Sequence, residues 1–132
     1  MCGIVGIYFK KKKLHNKLGK YLSGMLDNMS SRGPDSAGFA IYNNDTKKFY
    51  KYSLCINDKS IINEFEVDIK NKFKDLTIKS VSDHLVIQTL SNPKIVIPYI
   101  KKKYDNILIV GYGKSIEIFK QVGNPKEIVK KF

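Results

Sequence analysis

Leu14, Leu18, Tyr21, Leu22, Met25, Leu26 and Met29 recur at spacings of three and four. On a helix this spacing gathers them into one apolar stripe, so residues 14–29 are expected to form an amphipathic helix packed on a sheet. Gly19 and Gly24 weaken it by up to about 1 kcal/mol each relative to Ala, and the stripe is long enough to prevail. The chain has 132 residues, enough for one domain with a modest core.

The remaining segments supply the sheet. Residues 2–9 are a β-rich apolar run closed by Lys10 to Lys13. Residues 31–38, Ser-Arg-Gly-Pro-Asp-Ser-Ala-Gly, follow the helix. Pro34 stops a helix and pushes Gly33 out of the helical region, so this segment is expected to be a tight loop. Residues 39–42 read as a strand, 43–46 as a turn and 48–54 as its hairpin partner. Residues 60–74 allow a short helix or irregular structure, and 81–90 a strand. Pro93 and Pro98 argue against a regular strand over 93–103 and predict that a helix starting at Pro93 is interrupted. Residues 107–112 and 115–120 read as strands around Gly111-Tyr112-Gly113. Asn124-Pro125-Lys126-Glu127 offers an N-cap, a first-turn proline and an acid at the third position. A helix opening there, about two turns before Phe132, predicts an incomplete α+β domain over residues 1–132.

Composition narrows the function classes. Apolar residues are 42% and charged residues 27% of the chain, ordinary globular values. No apolar stretch reaches the roughly 18 residues of a membrane span, and the lysines after the first apolar run stand in the wrong order for a secretory signal. A cytoplasmic protein with no membrane partner is expected. The net charge of +12 comes from 23 Lys and one Arg, Arg32. Nucleic-acid readers favour Arg for forked contacts, and these lysines are scattered, so no specific nucleic acid is expected. A basic polyanion-binding protein is a rival reading, with steep salt dependence as its signature.

Two cysteines cannot build a disulfide framework or a zinc site, and no metal or cofactor is expected. Cys55, in an apolar segment, reads as a small buried hydrophobe. Cys2 differs. Once Met1 is removed it carries a thiol and a free α-amine on one residue. With reference pKa values of about 8.5 and 7.7–8.0, the amine can take the thiol proton directly or through a water, so no His or Asp partner is needed. Gly3 and Gly6 allow close backbone approach beside it. Arg32, in a chain that otherwise uses Lys, suggests a role for a planar guanidinium.

Cys2-Gly3-Ile4-Val5-Gly6-Ile7, an amphipathic helix, and then Arg32-Gly33-Pro34-Asp35-Ser36-Ala37-Gly38 leading into a strand together resemble the start of a class II glutamine amidotransferase domain. The Pro after Arg-Gly and the segment 117–123 are most similar to the amidotransferase chain of archaeal split glutamate synthases and to amidophosphoribosyltransferase-like proteins. The resemblance implies the N-terminal part of a four-layer α/β/β/α N-terminal-nucleophile (Ntn) fold with glutamine as substrate. Cys2 would form a γ-glutamyl thioester, and the ammonia would pass to a synthase domain or subunit. Arg32 and Gly33 would organise the site beside the N-terminus, with Asp35 and Ser36 holding the loop together.

The family's Gly-His-Thr-Arg-like segment and Asn-Gly pair have no counterpart here, and loss of one oxyanion donor alone costs about 10²–10³ in rate. The isolated chain is therefore expected to be inactive, with the missing half-domain as a partner. A non-catalytic scaffold or regulatory relative is the alternative. Two further motifs are set aside. Gly111-Tyr112-Gly113-Lys114-Ser115 resembles the end of a phosphate loop but has Leu108 where the first Gly belongs, and a strand pattern follows. Ser82-Asp83-His84 would point alternately across an extended segment, which predicts a surface or edge position.

Overall fold

A computed structural model describes residues 3–33, 35–43 and 47–131. The described elements run α1 (Leu18–Asn28), β1 (Ser36–Tyr42), β2 (Tyr50–Ile56), α2 (Ile62–Lys72), β3 (Thr77–Val81), β4 (His84–Thr89), α3 (Pro93–Lys103), β5 (Ile107–Gly113), β6 (Ile116–Val122) and α4 (Pro125–Ile128). The class is α+β, as expected. The chain divides into two compact units, Phe39–Lys120 and Met1–Gly38 with Gln121–Phe132.

The larger unit is built around β2. This strand pairs antiparallel with β4 on one side and β5 on the other, and β3 extends the sheet to the order β3-β4-β2-β5. Alternate β2 side chains point to opposite faces. Tyr52, Leu54 and Ile56 join Leu85 and Ile87 of β4 against Phe65 and Ile69 of α2 and Val96 and Ile100 of α3. Phe65 also meets the Tyr104 ring edge-on at 5.0 Å. Full burial of each such apolar side chain contributes about 1.5–3 kcal/mol, so this face dominates the unit's stability. Beyond it, the helices are fastened by the Asp68 carboxylate, which accepts from the Tyr99 and Tyr104 hydroxyls at 2.8 and 3.0 Å.

The other face of β2 carries Lys51, Ser53 and Cys55, and β6 lies on it. Ser53 Oγ accepts the Ile118 N–H at 2.8 Å, and Lys51 Nζ reaches Glu117 Oε1 at 2.7 Å. Beta-6 pairs with β1 in a separate two-stranded sheet. Hydrogen bonds from Asn43 N–H to Ser115 O at 2.7 Å and from Gly123 N–H to Asp35 O at 2.9 Å bracket that pair and make it antiparallel. Phe39 and Phe119 stack across it with centroids 5.1 Å apart. Helices, four-stranded sheet and two-stranded sheet thus form three successive layers. Where β6 passes over β5 there is no room for side chains: one at Gly111 would strike Ile118 Cδ1, and a Cβ at Gly113 would lie 2.7 Å from Ile116 Cγ2.

The smaller unit is helical and thinly packed. Its α1 stripe matches the sequence expectation, flanked by 3-10 turns Lys12–Lys17 and Ser30–Arg32, but it buries none of its residues. It contacts α4, which opens as its sequence predicts: Asn124 Oδ1 accepts the Lys126 N–H at 2.9 Å and Pro125 takes the first turn. Gly123, immediately before this cap, has φ +131°, a conformation that a side chain would strain.

Several expectations are corrected. Residues 3–9 lie in no strand among the described residues, because their backbone finds no ladder partner. Residues 36–38, expected in the loop, already belong to β1. Strand β2 pairs with β4 and β5 rather than in a hairpin with residues 39–42, because its two apolar-lined neighbours offer a buried central position. The middle segment is a regular helix, α2. Helix α3 runs unbroken through Pro98, whose lost hydrogen bond is offset by burial of Val96 and Ile100 on either side.

Candidate functional site

Cys2, the expected nucleophile, lies outside the described residues, as does Pro34. Its neighbour Gly3 is described. A side chain at Gly3 would run into the terminal methyl of Met29, and its Cβ would lie 3.8 Å from Arg32 Cβ. The chain immediately after Cys2 therefore abuts the end of the 3-10 turn that carries Arg32. That turn is fixed locally, with the Arg32 N–H donating to Met29 O at 3.0 Å. Arg32 is exposed. Gly33 leaves the helical region, at φ −155° and ψ 77°, and the space where its Cβ would stand is open. The Asp35 backbone carbonyl accepts the Gly123 N–H at 2.9 Å, and Ser36 opens β1.

At the far end of residues 3–9, the Phe9 ring meets Tyr21 edge-on at 5.6 Å, and Phe9 O lies 3.2 Å from His15 Nε2. Gly3 near Met29 and Phe9 near Tyr21 make the segment run antiparallel to α1. Val5, Ile7 and Phe9 are half-buried, and Gly3, Ile4, Gly6 and Tyr8 are exposed.

A second constellation, in the larger unit, was not foreseen. His84 is fully buried, contrary to its expected surface or edge position, and its ring lies 5.6 Å from that of Phe119, tilted by 53°. It stands directly opposite Cys55 in the β2–β4 register. Ser82, at φ +57°, turns the β3–β4 hairpin so that Asp83 Oδ1 lies 2.8 Å from His84 Nδ1, whereas an extended segment would have separated them. Nε2 accepts the Lys120 N–H at 3.2 Å. That bond assigns the ring proton to Nδ1, donating to Asp83.

The Cys55, Asp83 and His84 ligand atoms lie within 4.8 Å of one another, but both imidazole nitrogens are engaged. A metal on Nδ1 would shift the proton to Nε2, against the Lys120 N–H. Burial, and then the nearby Asp83 charge, push the Cys55 thiol pKa up, so it is a poor nucleophile. Asp83, His84 and the Lys120 N–H form a hydrogen-bonded knot between β4 and β6. Glu117 is a similar tie. Burial opposes its charge, but the Lys51 hydrogen bond and charge, with Lys79 and the Asn43 amide at 2.9 Å, hold its pKa below the usual carboxylate value. Lys114-Ser115 links two strands, and Lys114 Nζ donates to Lys47 O at 3.0 Å, as expected of a turn rather than a phosphate loop.

Comparison with known proteins places these features in context. The whole chain matches a glutamine amidotransferase-like protein, GlxB, of Rhizobium meliloti at 36% identity over 137 positions, covering 44% of that protein. It also matches, along its whole length, a putative glutamine amidotransferase of Methanothermobacter thermautotrophicus at 31% identity over 144 positions, covering 47%. The chain thus spans less than half the length of these relatives, and the similarity supports a relationship to glutamine amidotransferases. No family model and no solved structure matches it. Among the described residues, no helix is long and apolar enough to cross a membrane.

Proposed function

We propose that this chain is the nucleophile-bearing part of a class II, Ntn-type glutamine amidotransferase domain acting in the cytoplasm. Residues 1–132 would be one portion of that domain, with split glutamate synthase amidotransferase chains as its nearest type. The observation that carries the reading is the packing of Gly3 against Met29 and Arg32. It brings the backbone next to Cys2 up to the Arg-Gly loop, in a chain related throughout to amidotransferases. The helix, sheet and sheet stacking of residues 39–120 is what the reading expects of three of the four Ntn layers.

In the proposed reaction the Cys2 α-amine takes the thiol proton and the thiolate attacks the glutamine carboxamide carbon. The carbon–nitrogen bond breaks, the proton leaves with ammonia, and water hydrolyses the γ-glutamyl thioester to glutamate. Arg32 and Gly33 position the N-terminus. Ammonia passes to a synthase domain or subunit, and no metal or cofactor takes part. Without the remaining half of the substrate pocket, the isolated chain does not turn over glutamine.

Intact-mass analysis with a glutamine-mimetic diazoketone tests the reading. The expected result is loss of Met1, no adduct on the isolated chain, and a single glutamine-protected adduct on Cys2 once the complementary half is bound. Retained Met1 overturns the mechanism. Absence of an adduct from the assembled protein favours the non-catalytic scaffold instead.

A further inference from the structure

Between β1 and β6 the chain runs β2-α2-β3-β4-α3-β5, and its four strands lie in the order β3-β4-β2-β5 with every neighbour antiparallel. The half β2-α2-β3 leaves a gap that β4 fills, and the half β4-α3-β5 leaves a gap that β2 fills. Two interlocked split βαβ halves make the ferredoxin-like arrangement, which closes without a strand from outside. The core keeps the same boundary. Every residue of its apolar cluster, with the partly buried residues packed on it, lies between Tyr50 and Ile109. Residues 50–113 have the length of small domains that fold alone, about 55–65 residues.

The ends of this segment meet as those of an insertion do. Lys51 stands opposite Gly113 in the β2–β5 register, so the chain enters and leaves side by side. Just outside, the Asn43 N–H donates to Ser115 O at 2.7 Å, close enough for a short turn to join β1 to β6. The chain instead passes through residues 44–114 between them. Polar bonds fasten β6 to the four-stranded sheet: Ser53 Oγ accepts the Ile118 N–H, Lys51 reaches Glu117, and His84 Nε2 accepts the Lys120 N–H. Seams between domains of one chain are polar in this way, and relative motion across them is the default.

We propose that residues 50–113 are an inserted module that folds by itself and docks on the β1–β6 hairpin through this seam, which opens while the module's core stays closed. The layers of residues 39–120 are then two folding units in one stack. Cys2, Arg32 and Gly33 all lie outside the module, so the proposal goes beyond the glutamine chemistry and does not depend on it. The topology by itself assigns no activity to the module. It defines a part that can move without unfolding.

The test is native-state hydrogen exchange on the whole 132-residue chain. The Ile118 and Lys120 amides, which donate to module side chains, report the seam, and the amides of the β2–β4 ladder report the core. In the unaltered chain the seam amides should exchange at least tenfold faster than the ladder amides. Gly111→Val, which drives a side chain into Ile118, should speed the seam amides at least tenfold further and the ladder amides less than twofold. Limited proteolysis of the unaltered chain should cut on either side of residues 50–113 and leave that fragment resistant. Seam and ladder amides that exchange together in either protein, or digestion that leaves no such fragment, would overturn the proposal. No readout involves glutamine or Cys2. Failure here leaves the amidotransferase reading standing, and failure of that reading leaves the module.

Discussion

Residues 39–120 and the two segments flanking them follow the same amphipathic rules and reach opposite outcomes. In the larger unit, β2 is buried almost along its whole length and both helices insert aromatic or branched side chains beneath the sheet. In the smaller unit, α1 has a well-formed apolar stripe yet buries none of it, and Pro125 and Ile128 of α4 are its only buried positions among the described residues. Amphipathicity is a demand for cover. The larger unit meets that demand within its own 82 residues, and the smaller one does not.

Truncating matched apolar residues should expose the contrast most strongly. Phe65→Ala, in the finished core, should cost about 3–5 kcal/mol of unfolding free energy, and Leu22→Ala, half-buried on α1, less than about 1 kcal/mol. Equal costs in denaturant melts would erase the distinction. A large effect is also expected from Lys51→Met, which strands the Glu117 carboxylate in a buried place and should cost about 3–5 kcal/mol.

Acid titration sharpens the comparison further. Because the Glu117 pKa is depressed in the folded chain, its stabilisation is complete above the unfolded value of about 4.3. It is lost as the pH falls through the lower folded value. Circular dichroism from pH 6 to 2 should show the larger unit weakening in that range, and Glu117→Gln should flatten the dependence. The smallest effect is reserved for the smaller unit. Asn124→Ala removes the α4 cap and should cost about 1 kcal/mol, visible as faster amide exchange at residues 125–129 with β4 unaffected.

What could be read from the chain was local. The stripe of α1 and the Asn-Pro cap of α4 each depend on residues within a few positions of one another. The proposed function was read differently, from the order of Cys2, a helix and an Arg-Gly loop along the chain. What could not be read was remote. That β1 would choose β6, and that His84 would sit opposite Cys55 and accept from Lys120, depends on strand register set by the whole sheet. Pro98 misled for a related reason: local propensity says break, but the burial of Val96 and Ile100 outweighs it. Residues 3–9 are the instructive miss, since a strand pattern needs a neighbour before it becomes a strand.

The pairing of β1 with β6 also sets an order of events during synthesis. Asn43 and Glu117, joined across the two strands' layer, are 74 residues apart in the chain. At a translation rate of about 5–20 residues per second, β1 waits roughly 4–15 s for its partner to be made. During that time β2 to β5 can pair and seat their helices, so the four-stranded sheet becomes the platform on which the late β6 lands and to which β1 is then recruited. A nascent chain of this topology leaves its earliest strand to last, and a ribosome-bound chaperone would meet Phe39 and Ile41 throughout that interval.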